Sequence, residues 1–276
     1  MDRERVAFTT IIPEMFRLCL VRAAALALWL VAVPAVSSAQ TVVRFDTVEG
    51  SFDVELFDDA MPRSVTNFLF YVNDGRYDGS VVHRNAAGFV IQGGGYFLSD
   101  PVPPDPTEVM SFGSVVTADP IPDEPGGGVP GPSNVRGTIA MAKDGPNTVT
   151  SQWFINQGDN SFLDDPQRPD GGFSAFGAVL GEGMEVVDAI GALPVPPDFG
   201  FTIGGIEGVF NNQPLRNFSG SSIVDIRAIN TVIVHSVTVV PEPSSGLLAA
   251  ASLLTLLALR TWGIPLCRTK KDYLAD

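Results

Sequence analysis

The chain has 276 residues, with 17 Lys+Arg against 31 Asp+Glu and a formal charge of −14. That balance argues against a nucleic-acid binder, whose affinity rests on clustered basic charge, and a hydrophobic share of 45 % argues against global disorder. The 28 Gly and 22 Pro describe a loop-rich chain, and with two histidines, His83 and His235, and two cysteines, Cys19 and Cys267, a His- or Cys-built metal site is hard to assemble.

Residues 1–39 read as a secretory signal. Arg17 and Arg22 form a basic n-region, Ala23 to Val33 is an apolar run, and Ser37-Ser38-Ala39 places small residues before Gln40, the order a cleaved leader requires. From Thr41 the pattern has period two. Val43, Phe45 and Thr47 precede a turn at Glu49-Gly50, and Phe52, Val54 and Leu56 alternate with Ser51, Asp53 and Glu55, which predicts a hairpin of half-buried strands. Pro62 opens a helix whose Val65, Phe68, Leu69 and Val72 share one face, and Gly75 stops it.

Two Pro-rich stretches, residues 96–134 and 193–222, read as long surface loops because Pro is excluded from central strands. A short helix is expected from Met184 to Ile190, with Met184, Val187 and Ile190 on one face, and a last strand from Thr231 to Val239. No internal repeat is visible. Short strands, two helices and many Gly turns predict a mainly β domain over residues 40–240, a closed or nearly closed antiparallel barrel.

Three stretches carry a resemblance. The first is Val82-His83-Arg84 followed by Gly88-Phe89-Val90-Ile91-Gln92-Gly93-Gly94-Gly95. The second is Gly137-Thr138-Ile139-Ala140-Met141-Ala142, then Gly145-Pro146-Asn147-Thr148 and Ser151-Gln152-Trp153-Phe154-Ile155-Asn156. The third is Asn160-Ser161-Phe162-Leu163-Asp164, then Phe176-Gly177. In this order they resemble the bacterial branch of the cyclophilin family of peptidyl-prolyl cis-trans isomerases. The resemblance implies an eight-stranded antiparallel barrel capped by two helices, with long loops inserted. It also implies a reaction without nucleophile, metal or cofactor.

An X-Pro bond turns slowly because amide resonance sets a barrier of about 18–20 kcal/mol. A donor aimed at the prolyl nitrogen stabilises the twisted form more than the planar one, and only such differential binding accelerates the step. The resemblance puts Arg84 in the catalytic arginine position, and a surface salt-bridge role is the plainer reading of an isolated Arg. It assigns Phe89, Val90, Phe154 and Leu163 to the proline slot with Phe162 beside them, aromatics that would otherwise be ordinary core. Gln92 and Gln152 are its polar groups, and Ala142 with Lys143 offers backbone to an extended peptide. Phe173 stands where His or Tyr is frequent in the family, Val90 where Met is usual, and Phe162 where some members have Trp. His83 reads as an inward structural residue and His235 has no assigned role. Asp164, Asp165 and Asp170 do not fit an EF-hand spacing and read as solvated carboxylates.

At the C-terminus, Val240-Pro241-Glu242-Pro243-Ser244 precedes an uncharged run, residues 246–259, followed by Arg260, Arg268, Lys270 and Lys271. Such a run is short for a free-standing span, which needs about 20 residues, but the cations after it obey the positive-inside rule. Residues 241–276 resemble the PEP-CTERM sorting signal of Gram-negative bacteria. That resemblance implies processing by an exosortase-type membrane enzyme and at least transient membrane association. Without both ends, residues 40–245 hold 9 Lys+Arg, 26 Asp+Glu and no cysteine, so no disulfide is available.

The reading is therefore an exported isomerase acting on X-Pro bonds of periplasmic or surface proteins. Two alternatives stay open: a module that grips Pro-containing segments with little turnover, and a surface-matrix scaffold. Retention of Arg84, Phe89, Gln92 and Phe154 together favours the enzyme, because a scaffold needs none of them as a set.

Overall fold

A computed structural model describes residues 40–98, 112–124, 131–195, 202–203, 206–207, 212–220 and 226–241. The chain divides into two units, residues 1–39 and 40–276, and every described residue belongs to the second. The leader read over 1–39 and the sorting tail beyond Pro241, with its apolar run 246–259, lie outside the described residues. Among the described residues no helix is long and apolar enough to cross a membrane.

The first hairpin follows from its alternation. Strands β1 (Val42–Thr47) and β2 (Gly50–Leu56) pair antiparallel with Val43 opposite Val54 and Phe45 opposite Phe52. One-residue slippage would turn every apolar side chain to solvent, so the register is fixed. The turn is closed by Thr47, whose hydroxyl donates to Gly50 O and accepts from Glu49 N. Helix α1 (Pro62–Asn73) buries Val65, Phe68, Tyr71 and Val72. Its N-terminus lacks a cap from Met61. Instead Glu124, 60 residues on, accepts from Arg63 N (3.0 Å) and Ser64 N (2.7 Å). An anion there satisfies orphan amides and the helix dipole together.

The remaining elements are β3 (Ser80–Val81), β4 (Arg84–Ala86), β5 (Val90–Gly93), β6 (Tyr96–Leu98), β7 (Phe112–Ser114), β8 (Thr138–Met141), β9 (Trp153–Asn156) and a 3-10 turn (Ser161–Asp164). They continue with β10 (Ala175–Val179), α2 (Gly183–Gly191), β11 (Thr202–Ile203), β12 (Ile206–Glu207), a 3-10 turn (Ala228–Asn230) and β13 (Ile233–Val239). Eleven strands form one antiparallel sheet in the order β4-β5-β9-β8-β10-β2-β1-β13-β3-β6-β7, and β11 with β12 form a separate pair. The sheet is strongly curled. Only Val82 and His83 separate β3, which pairs with β13, from β4, which pairs with β5. Val82 N donates to Val232 O and His83 N to Gln92 O.

The concave side holds one aromatic core. Phe45 stacks on Phe52 at 4.9 Å and meets the edge of Trp153 at 5.1 Å, while Phe68 lies 5.1 Å from Phe176. Full burial of each such side chain contributes roughly 1.5–3 kcal/mol.

Three expectations need correction. Residues 96–134 are not wholly surface loop: β6 and β7 extend the sheet, Tyr96 and Val115 are buried, and Ile121 bridges to Val149. Residues 193–222 likewise bury Gln213 and Leu215, and Leu215 bridges to Thr231. Proline bars a central strand position, but the residues between prolines remain free to pair at an edge. The last strand begins at Ile233 rather than Thr231, because Thr231 closes the preceding 3-10 turn through its hydroxyl to Ala228 O.

Candidate active site

Strands β5, β8, β9 and β10 read as nearly continuous apolar runs because both their faces are covered. Alternate residues serve two clusters. Ile91, Ile139, Met141, Trp153, Ile155 and Phe176 enter the concave core. Val90, Ala140, Phe154 and Ala175 form a second cluster with Leu163, packed by Phe89, Ala142 and Phe173. Register aligns this outer set across the sheet: Arg84 opposite Gln92, Gln92 opposite Phe154, Phe154 opposite Ala140, Ala140 opposite Ala175. The middle of the row is small. Ala140 and Ala175 leave space between the aromatic rings, and a cleft of ≈170 Å³ results, lined by Arg84, Phe89, Val90, Gln92, Ala142, Lys143, Phe154, Leu163 and Phe173.

Arg84 stands at the polar end. Its Nη1 donates to Gln92 Oε1 at 3.2 Å, and Gln92 Nε2 donates to Gln152 Oε1 at 2.8 Å. None of the ion pairs among the described residues includes Arg84. Partial burial lowers its pKa, yet a guanidinium stays charged in any protein. The cation lies 5.9 Å from the Phe89 ring centroid. Gln152 is held because Gly94, at φ 78°, lets the Gly93–Gly95 turn pass close to the Ser151–Trp153 segment. A Cβ at Gly94 would lie 2.7 Å from Ser151 O, so the Gly is required.

The walls are set by rings. Phe173 meets Phe154 edge-on at 5.6 Å. Phe162 lies outside the cleft proper, 57 % exposed, stacked 6.0 Å from Phe89 at the rim. The Lys143 side chain is almost fully buried, its Nζ 2.6 Å from Asp123 Oδ2 and 5.6 Å from the Phe173 centroid.

The structure thus brings together in one cleft nine of the eleven residues that the sequence points to. Gln152 joins them through Gln92, and Phe162 through Phe89. His83 is buried against the edge of Tyr96 at 5.0 Å, and burial lowers its pKa to about 4. Asp164 and Asp170 are not simply solvated, contrary to the expectation from their spacing. Asp164 accepts from the Ser133 hydroxyl and from Asn134 N and Nδ2, and Asp170 binds Arg168 and Gly172 N. Among the described residues no group of three His, Cys, Asp or Glu is placed to hold a metal ion. Asp123 and Asn134 carry no local signal in the sequence, since each reaches the cleft through a partner 20 or more residues away.

An apolar slot with a single guanidinium at one end lies on the convex face of a curled antiparallel sheet. The family model for "Cyclophilin type peptidyl-prolyl cis-trans isomerase/CLD" matches residues 42–202, and the chain belongs to this cyclophilin-type family. It is 37 % identical over 194 residues to a peptidyl-prolyl cis-trans isomerase of Acinetobacter baylyi, covering 70 % of this chain and 89 % of that one. It is 41 % identical over 155 residues to peptidyl-prolyl cis-trans isomerase A of Dickeya dadantii, covering 56 % and 73 %. A crystal structure of a Cryptosporidium parvum cyclophilin type isomerase superposes with a TM-score of 0.47 at 23 % identity, over 74 % of this chain and 99 % of that one.

Proposed function

We propose that this cyclophilin-type peptidyl-prolyl cis-trans isomerase acts on X-Pro bonds of exported proteins. The observation that carries the catalytic part is Arg84, tied to Gln92 at the end of the slot formed by Val90, Phe154, Leu163 and Phe173. The proline ring enters the slot and is held while the bond turns. As the amide twists, the nitrogen lone pair localises on the prolyl nitrogen, within reach of guanidinium donors that Gln92 does not occupy. The interaction strengthens only in the twisted form, so it lowers the barrier rather than merely tightening binding. Gln92 keeps the guanidinium aimed. Gln152 and the Ala142 backbone are available to the peptide main chain.

The curled sheet is read as the closed eight-stranded barrel of the family, with β6 and β7 as additions. The support is the stretch Ser80–Ala86, which bonds to β13 on one side and β5 on the other. Export rests on the leader pattern of residues 1–39. The tail, residues 241–276, is read as a sorting signal handled by an exosortase-type enzyme, with membrane association before processing.

A protease-coupled assay on an Ala-Pro-Phe peptide tests the catalytic reading. Acceleration by the wild-type chain is the expected result. Saturable peptide binding with no acceleration would instead make the chain a Pro-peptide binding module, a role to which Phe173, lacking a polar tip, is suited. Intact-mass measurement of protein recovered from the producing cells tests the ends. A mature product starting at Gln40 and lacking Cys267 is expected. A mass that includes Thr261–Asp276 would refute processing.

A further inference from the structure

Three asparagines lie beneath the cleft without forming part of it. Asn134, Asn156 and Asn160 are 0 %, 0 % and 5 % exposed, and they form one connected network. Asn160 Nδ2 donates to Asn156 Oδ1 at 2.8 Å, and Asn156 Nδ2 donates to Asn134 Oδ1 at 3.2 Å. Each end of the network grips the main chain of a cleft wall. Asn160 Nδ2 also donates to Phe89 O at 2.9 Å, and Asn134 Nδ2 to Phe173 O at 3.0 Å. The middle member anchors on β8, with Asn156 Nδ2 3.0 Å from Thr138 Oγ1. Asn134 holds Asp164 as well, at the end of the turn that carries Phe162 and Leu163.

We propose that Asn134, Asn156 and Asn160 are positioning residues that set the separation of the Phe89 and Phe173 walls, and with it the affinity for proline substrates. The inference rests on the isomerase reading of the same cleft. Buried amides are costly unless every group is bonded, and an apolar trio would fill the space without directional constraint. A satisfied polar network instead fixes geometry, because its bonds tolerate little displacement. Here the bonded groups are the carbonyls of Phe89 and Phe173 themselves. Both rings are partly exposed and lie outside the strands; Gln157 N donates to Phe89 O and Phe173 N to Leu163 O, and the network adds the bonds that tie these two walls to each other.

The test compares full-chain wild type with Asn160→Ser and Asn134→Ala across substrate concentration in the protease-coupled assay. The serine side chain in Asn160→Ser is too short to reach Phe89 O. Asn230→Ala is the control, since Asn230 donates to Arg216 O and no cleft residue bonds to it. Loss of one wall bond should raise KM about tenfold with kcat within about twofold of wild type. The control should leave both unchanged once corrected for folded fraction. An unchanged KM in both variants, or losses that track folded fraction as in the control, would overturn the proposal. An inactive wild type would instead overturn the isomerase reading, whatever the variants do. If one variant fails to fold, the other still decides the question.

Discussion

The Lys143 ammonium sits 2.6 Å from the Asp123 carboxylate with its own side chain 2 % exposed, directly behind the Phe173 wall of the cleft. A buried cation stripped of its partner is expensive, whereas removing both charges is cheap. Asp123→Ala should therefore destabilise the fold by about 3 kcal/mol, the low end for such a break because Asp123 keeps some solvent contact. Asp123→Ala with Lys143→Met should recover most of the loss. Urea unfolding of the two variants decides it, and a single variant within about 0.5 kcal/mol of wild type would contradict the account.

Arg84→Ala should lower kcat/KM by roughly 100-fold, about 2.7 kcal/mol of transition-state stabilisation, while the unfolding midpoint stays near wild type. Arg84→Lys should restore little, because a point charge lacks the fork that satisfies Gln92 and the substrate together. Equal activity in wild type and Arg84→Ala would remove Arg84 from the mechanism.

Burial holds the His83 pKa at about 4, below its ordinary value near 6.5. The unfolded chain then binds a proton between those values and the folded chain does not. Stability is fully present above pH 6.5 and falls with acidification toward pH 4. The loss should be about 1.5 kcal/mol between roughly pH 6.5 and pH 5, at 1.36 kcal/mol per unit of full protonation difference. Denaturation at both pH values, in wild type and in His83→Gln, measures it. A variant with the same pH slope would assign the loss to other groups.

EDTA should leave the melting temperature and activity unaltered. The carboxylates of Asp164 and Asp170 are already bonded to Ser133, Asn134, Arg168 and Gly172. A reproducible fall in melting temperature on chelation would show that the acidic turn holds a cation.

Much of the fold and cleft is legible in the chain because the signals are local. The alternation at Val43, Phe45, Phe52 and Val54 forms β1 and β2, and the face at Val65, Phe68 and Val72 is the buried side of α1. The cleft residues emerge from spaced motifs, which carry Arg84, Gln92 and Phe154 together. The short strands β3, β4, β6 and β7 do not, since two or three residues carry no period. Their existence depends on partners elsewhere in the sequence. The same holds for Glu124 as the cap of α1, for Asp123 behind Phe173, and for the Asn134–Asn160 pair, each joined across a sequence separation that no local pattern encodes.

The pairing of β1 with β13 sets Val43 opposite Val239, and Val240 N donates to Val42 O. Gln40 and Pro241 therefore leave the domain side by side. A short bridging peptide would join them, and a circular permutant reopened elsewhere on the surface should keep the sheet and its cleft. The same adjacency decides how the domain answers a mechanical load. Force that draws the two ends apart would open the β1–β13 ladder like a zipper, one pair of bonds at a time from Val42 and Val240 inward. The cleft strands β5, β9 and β8 pair with neither β1 nor β13 and keep their mutual bonds while that ladder opens.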